Sequence, residues 1–179
     1  MSGTKLAGGP TQDEIMAISL LKLGLRSTDS VLEIGCGTGK VTVAMAGTAQ
    51  QVTALDLRPE AIDYAKKTAQ ESKAENIDFF CGEASDFLKN DRIYDCAFIG
   101  GTKHLTEILP VLAGKVRRNI VINAVLVSTL ADALSTLQQL EISCEAVQVQ
   151  VARSHPIAGS VMFRPVNPVF IITARGTAC

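Results

Sequence analysis

Three glycines in Glu33-Ile-Gly-Cys-Gly-Thr-Gly39 leave the backbone bare at Gly35, Gly37 and Gly39, directly after an apolar run that reads as a strand. A strand ending in such a loop, with a helix behind it, is where open α/β sheets hold ligands. Backbone N–H groups without side chains over them permit close approach to a cofactor, so the spacing has to say which cofactor. A phosphate-binding P-loop needs G-x-x-x-x-G-K-[ST]; Lys40 follows Gly39 here, but Val41 stands where the hydroxyl belongs. The dinucleotide fingerprint G-x-G-x-x-G needs glycine at position 40, which is Lys40. A sulfonium cofactor carries no phosphate and needs neither feature. It does need an acceptor for two ribose hydroxyls, and Asp56 ends the next strand, 17 residues after Gly39. Gly82-Glu83-Ala84 follows the third strand and offers backbone amides and a carboxylate beside an adenine.

The elements that must position these residues alternate along the chain. Strand-like runs at 31–35, 51–56, 77–81, 94–100 and 119–126 recur about every 20 to 25 residues, the spacing of βα units. Between them, Pro59 suits a first helical position ahead of Ile62, Ala65 and Ala69, and Val127, Leu130, Leu134 and Leu137 form a core stripe. At the front, Thr11 and Glu14 have capping-box spacing before a helix with Ile15, Ile18, Leu21 and Leu25 facing inward. Two final strands are expected at 146–152 and 168–174, separated by a turn-rich excursion over 153–167 that is too long for a tight hairpin between them. The expected fold is one α/β domain over 1–179, with a seven-stranded, mostly parallel sheet and an antiparallel final strand.

Composition narrows the partners. A chain of 179 residues buries roughly two thirds of its unfolded surface as one domain. A net charge of −1, with KVRR at 115–118 as the one dense basic run, gives no reason to expect nucleic acid. Five cysteines without C-x-x-C spacing argue against a disulfide framework and a zinc site, and only two histidines are present. No apolar run approaches membrane-spanning length and no signal peptide is legible. The expectation is a cytoplasmic protein with no metal, no membrane and no nucleic-acid partner.

The set E-I-G-C-G-T-G, A-L-D and G-E-A, each at a strand's end, resembles the class I S-adenosylmethionine-dependent methyltransferases, a Rossmann-like fold. Glu33 has two readings there, a structural ion pair or a contact to the cofactor's ammonium. Enzymes that methylate exocyclic amines carry N/D-P-P-Y after the fourth strand, whereas this chain has Phe98-Ile-Gly-Gly-Thr-Lys-His104. Asn167-Pro168 resembles that motif but precedes the last strand, which is the wrong place in sequence. Taken together, GGPTQDEI (8–15), EIGCGTG (33–39), FIGGTKH (98–104) and SVMFRPVNPVFII (160–172) are similar to the decarboxylating precorrin methyltransferases of cobalamin biosynthesis, cobalt-precorrin-6B carbon-15 type.

The resemblance implies a homotetramer that methylates carbon 15 of a tetrapyrrole and removes carbon dioxide from the ring C acetate. It implies cofactor contacts at Thr11, at Gly35, Cys36, Gly37, Thr38 and Gly39, and at Asp56 and Ala84, with Glu83 added from its position. Gly100, Gly101, Lys103 and His104, with Arg153, His155 and Arg164, are the candidates for holding the polycarboxylate substrate. Relatives commonly carry an I-P-D-x-x-F-like segment before the G-P-T element, and residues 1–8 depart from it. The remaining alternatives are an isoaspartyl-protein or tRNA methyltransferase, a nicotinamide oxidoreductase, and a cofactor-binding subunit without activity.

Overall fold

The computed structural model describes residues 11–179. The N-terminal departure at 1–8 and the first three residues of GGPTQDEI therefore lie outside the described residues. Seven strands form one sheet in the order β3-β2-β1-β4-β5-β9-β6. These are β1 (Ser30–Ile34), β2 (Gln51–Asp56), β3 (Ile77–Cys81), β4 (Cys96–Ile99), β5 (Asn119–Ala124), β6 (Cys144–Val149) and β9 (Val169–Arg175). Strands β1 to β5 pair in parallel, and β9 runs antiparallel between β5 and β6. The order reverses between β1 and β4, which opens a crevice at their carboxyl ends.

Alternation along each strand assigns the two layers of helix. Leu32, Ile34, Ala97, Ile99, Ile120 and Ile122 point to one face, under α4 (Ala84–Phe87), α5 (Leu105–Ala113) and α6 (Val127–Gln139). Val31, Val52, Cys96, Phe98 and Val121 point to the other, under α1 (Asp13–Leu23), α2 (Lys40–Ala46) and α3 (Pro59–Glu71). Burial on both faces explains why the central strands read as continuous apolar runs. It also places Glu33 and Asn123 on the α1–α2 face, in phase with Val31 and Val121.

Several local expectations need correction. Helix α1 is capped from Gln12, with no side-chain capping bond, so the Thr11–Glu14 box does not form. Glu14 pairs instead with Arg153, at 2.7 Å. The buried row of α1 is Ile15, Ser19 and Leu23, at i, i+4 and i+8. Leu21 lies about 200° around the helix from Ser19 and is 77% exposed. Val127 likewise leaves the α6 stripe for solvent, next to exposed Val125 and Leu126, because β5 ends at Ala124. The excursion is itself ordered: β7 (Ala152–Ile157) and β8 (Ser160–Pro165) pair as a hairpin around Ala158 and Gly159, both at positive φ. Gly159 supplies the left-handed turn residue that such a connection demands.

Candidate cofactor and substrate cleft

The three loop glycines do different work. Gly35 has φ 83°, and a Cβ there would meet the backbone N of Gly101 at 2.3 Å. The β1 and β4 loops thus cross in van der Waals contact and close the floor of the crevice. Gly39 has φ 75° at the start of α2, where a Cβ would lie 2.8 Å from Ala65 Cα of α3. It is a packing glycine. Gly37 faces open space, and its N–H donates to Asp56 Oδ2 at 2.9 Å.

Asp56 is nearly buried, yet both its oxygens are engaged. Oδ1 accepts from the Arg58 backbone N–H at 3.0 Å and from Arg58 Nε at 3.1 Å, while Oδ2 also accepts from Nη2 at 3.2 Å. Burial pushes the Asp56 carboxyl up, but the Arg58 side chain and the Arg58 and Gly37 amides outweigh it and hold the group below the ordinary carboxylate range. A charged, preorganised acceptor therefore stands at the end of β2.

Glu33 presents the opposite case. It is enclosed on β1, and the Thr42 hydroxyl of α2 donates to it. Burial raises its carboxyl to about 7, the Thr42 bond lowers it, and the negative charge of Asp56 adds to the rise. The ion-pair reading of Glu33 fails among the described residues, since its bonded partner is a hydroxyl. Cys36 is also buried, and burial followed by the Glu33 and Asp56 charges drives its thiol far up. It stays protonated and is no nucleophile.

These groups line a cleft of about 720 Å³. Of the residues singled out from sequence, Thr11, Gly35 to Thr38, Asp56, Glu83, Ala84, Gly100, Gly101 and Lys103 are on its wall. Gly39, His104, Arg153, His155 and Arg164 are not. His104 takes a left-handed φ of 55° ahead of α5, with Nδ1 3.5 Å from Glu107. Arg153 and Arg164 face each other across the hairpin, and Arg153 is drawn to α1 by Glu14. Lys103 reaches across the mouth to Glu83 at 2.9 Å, tying the β4 loop to the β3 loop. Both partners are substantially exposed, so the tie is weak.

Sequence reasoning missed part of the wall. Gln12, Lys40, Arg58 and Asn123 all line it. Asn123 donates to Ser19 Oγ at 3.0 Å, and Ser19 donates to the Ile15 carbonyl at 2.8 Å. A polar residue at an inward position of a strand was the available signal. Asn167 also reaches the cleft, although it precedes the last strand. Strand β9 is antiparallel, so its first residues come level with the carboxyl end of β5, Phe170 opposite Ala124.

This geometry has close counterparts. A family profile described as a methyltransferase domain matches residues 31–120. A protein of Methanosarcina mazei, named probable cobalt-precorrin-6B C(15)-methyltransferase (decarboxylating), is 42% identical over 175 residues, covering 95% of each chain. The chain belongs to that methyltransferase family. A Sulfolobus acidocaldarius member with the same name is 35% identical and covers 90% of this chain and 88% of its own. A crystal structure from Methanobacterium thermoautotrophicum, described as precorrin 8W decarboxylase, superimposes with a TM-score of 0.89 at 29% identity, covering 93% of this chain and 91% of that one. Family membership and the seven-stranded architecture agree with the expectations from the motifs.

Proposed function

We propose that this chain methylates carbon 15 of a cobalt-precorrin-6B macrocycle, using S-adenosylmethionine, and removes carbon dioxide from the ring C acetate, which is left as a methyl group, a step of cobalamin biosynthesis. The observation that carries the reading is the pairing of ionised Asp56 with the open Gly37 backbone in one cleft, in a chain whose relatives bear that activity's name. The fit to the cofactor is good: two carboxylate oxygens suit two ribose hydroxyls, and the glycine loop leaves room for an amino-acid arm. When bound, the cofactor supplies an electrophilic methyl group on sulfur.

The chain's own part is binding and alignment, which supply much of the rate in an in-line displacement. Asp56 holds the ribose, displacing the Arg58 side chain while keeping the Gly37 bond. Glu83 and Ala84 flank the adenine, Thr11, Cys36 and Thr38 complete the enclosure, and Gly39 acts indirectly by holding the loop against α3. Gly100 and Gly101 keep the floor low enough for a flat ring to approach. Lys103, once released from Glu83, offers a cation to a peripheral carboxylate, and His104, Arg153 and Arg164 ring the approach. Exposed Val125 on the cleft wall shields the conjugated face and excludes water. The electron pair freed with carbon dioxide passes into the conjugated macrocycle, so no side-chain nucleophile is required.

The same reading makes the protein a single-domain, cytoplasmic homotetramer without nucleic-acid or membrane partners. Among the described residues no helix is long and apolar enough to cross a membrane. The test is to incubate the purified protein with methyl-labelled S-adenosylmethionine and the precorrin-6B-level intermediate. Gain of one methyl and loss of one carbon dioxide is expected. Methyl gain with the acetate retained overturns the decarboxylating assignment, and no transfer overturns the function.

A further inference from the structure

Gln12 stands at the entrance to α1 and lines the cleft, yet its side chain does not cap the helix. Its Oε1 is buried and accepts no hydrogen bond among the described residues. A buried acceptor without a donor is costly, and of the buried unpartnered side-chain atoms among the described residues Gln12 Oε1 is the one on a residue that lines the cleft, where a ligand can bring the donor. The obvious internal donor is committed elsewhere. Lys40 Nζ donates to the Thr11 carbonyl at 3.0 Å and pairs with Asp13 at 2.6 Å, clasping α1 to α2 on either side of Gln12.

The sheet order indicates which part of a ligand arrives there. Along the carboxyl edge, β3, β2, β1 and β4 follow one another. Asp56 ends β2, and the glycine loop covers the end of β1. Helix α1 lies on the far side, over β4 and β5, where Ser19 meets Asn123 and the Leu23 carbonyl meets Asn119. A ligand with its ribose on Asp56 and its adenine toward β3 must carry its amino-acid arm across the loop toward Gln12. From β2 to β4 is two strand spacings, about 10 Å. The N–H donor at the end of that arm is an ammonium, and a charged donor gives the stronger class of hydrogen bond.

We propose that Gln12 Oε1 is the acceptor for the α-ammonium of the bound cofactor, so that this residue selects ligands bearing an amino-acid arm. The inference rests on the cofactor reading above. Its chemistry is recognition only; no bond is made or broken. The carbonyl oxygen, rather than a carboxylate, reads the ammonium beside the already acidic Asp13 and Glu14.

Calorimetry on the full chain tests this with two probes, S-adenosylhomocysteine and methylthioadenosine, which keeps the nucleoside but lacks the amino-acid arm. Gln12→Leu is expected to lose about tenfold or more in affinity for S-adenosylhomocysteine and to leave methylthioadenosine binding unchanged. The ligand-free melting temperature of Gln12→Leu should equal or exceed that of the parent, because a buried orphan oxygen is replaced by an apolar group. Gln12→Glu, which keeps an oxygen in place, should retain the preference for S-adenosylhomocysteine. Equal losses for both probes, or no loss for either, overturn the proposal. So does a loss in Gln12→Glu as large as that in Gln12→Leu, since it would make the amide N–H the operative group. If the parent protein binds neither probe, the cofactor reading itself fails.

Discussion

Glu33 and Asp56 are two carboxylates a strand apart in one cleft, and their surroundings drive them in opposite directions. Asp56 has N–H groups on both oxygens and stays ionised, whereas Glu33 has one hydroxyl and enclosure, and keeps its proton to about pH 7. The stability consequence has a definite sign. In the unfolded chain the Glu33 carboxyl ionises near its ordinary value of 4.5, while in the folded chain it holds the proton to about 7. Between those values the unfolded state carries fewer protons, so stability falls as pH rises and is level again above the folded value. The full penalty is on the order of 3 kcal/mol. Glu33→Gln, which cannot ionise, is expected to lack that decline and to exceed the parent at pH 8 by up to about 3 kcal/mol. Denaturant titrations at pH 4.5, 6 and 8 measure it, and parallel profiles for the two proteins would show that Glu33 is not the titrating group.

At the scale of elements, the glycine loop separates packing from ligand contact. Gly39→Ala places a methyl against Ala65 of α3 at a left-handed φ and is expected to cost about 2–4 kcal/mol of unfolding free energy. Gly37→Ala, facing open space, should cost about 1 kcal/mol and act instead on ligand affinity. Unfolding curves and calorimetry on the two variants distinguish these outcomes; equal stability losses would mean that the α2–α3 contact does not constrain Gly39. The periodicity of apolar residues made the parallel strands and α3 legible, because those elements are buried in the pattern that strands and amphipathic helices require. Polar residues that obey the same geometry were not legible. Ser19 is wholly buried on α1 and Asn123 points inward from β5, and both drop out of any apolar count. Thr11 and Glu14 have capping-box spacing, but Lys40 takes the Thr11 carbonyl and Arg153 takes Glu14. Those partners come from remote elements, and local spacing carries no information about them. Asp56 was readable because its place at a strand's end, beside the glycine loop, is fixed by the βα repeat itself.

At the scale of the whole molecule, the β7–β8 hairpin stands apart from the seven-stranded sheet as a two-stranded unit of its own. Its register sorts the side chains into two faces: Arg153, His155 and Arg164 on one, and Pro156, Val161 and Phe163 on the other. Glu14 holds the basic face toward α1, which leaves Phe163 at 67% and Val161 at 62% exposure. Two strands alone are marginally stable in water, and an exposed aromatic on a paired strand is poor material for a free surface. The tetramer proposed above is expected to cover it with a second copy of the same face, a contact that closed symmetry lets recur. Replacing Phe163 and Val161 together by aspartate sets like charges against one another across such a contact. The expected result is a fall in sedimentation mass from four chains to fewer, with far-ultraviolet circular dichroism retained because neither residue belongs to the core. Retention of the parent mass by the double variant would place the contact elsewhere on the molecule.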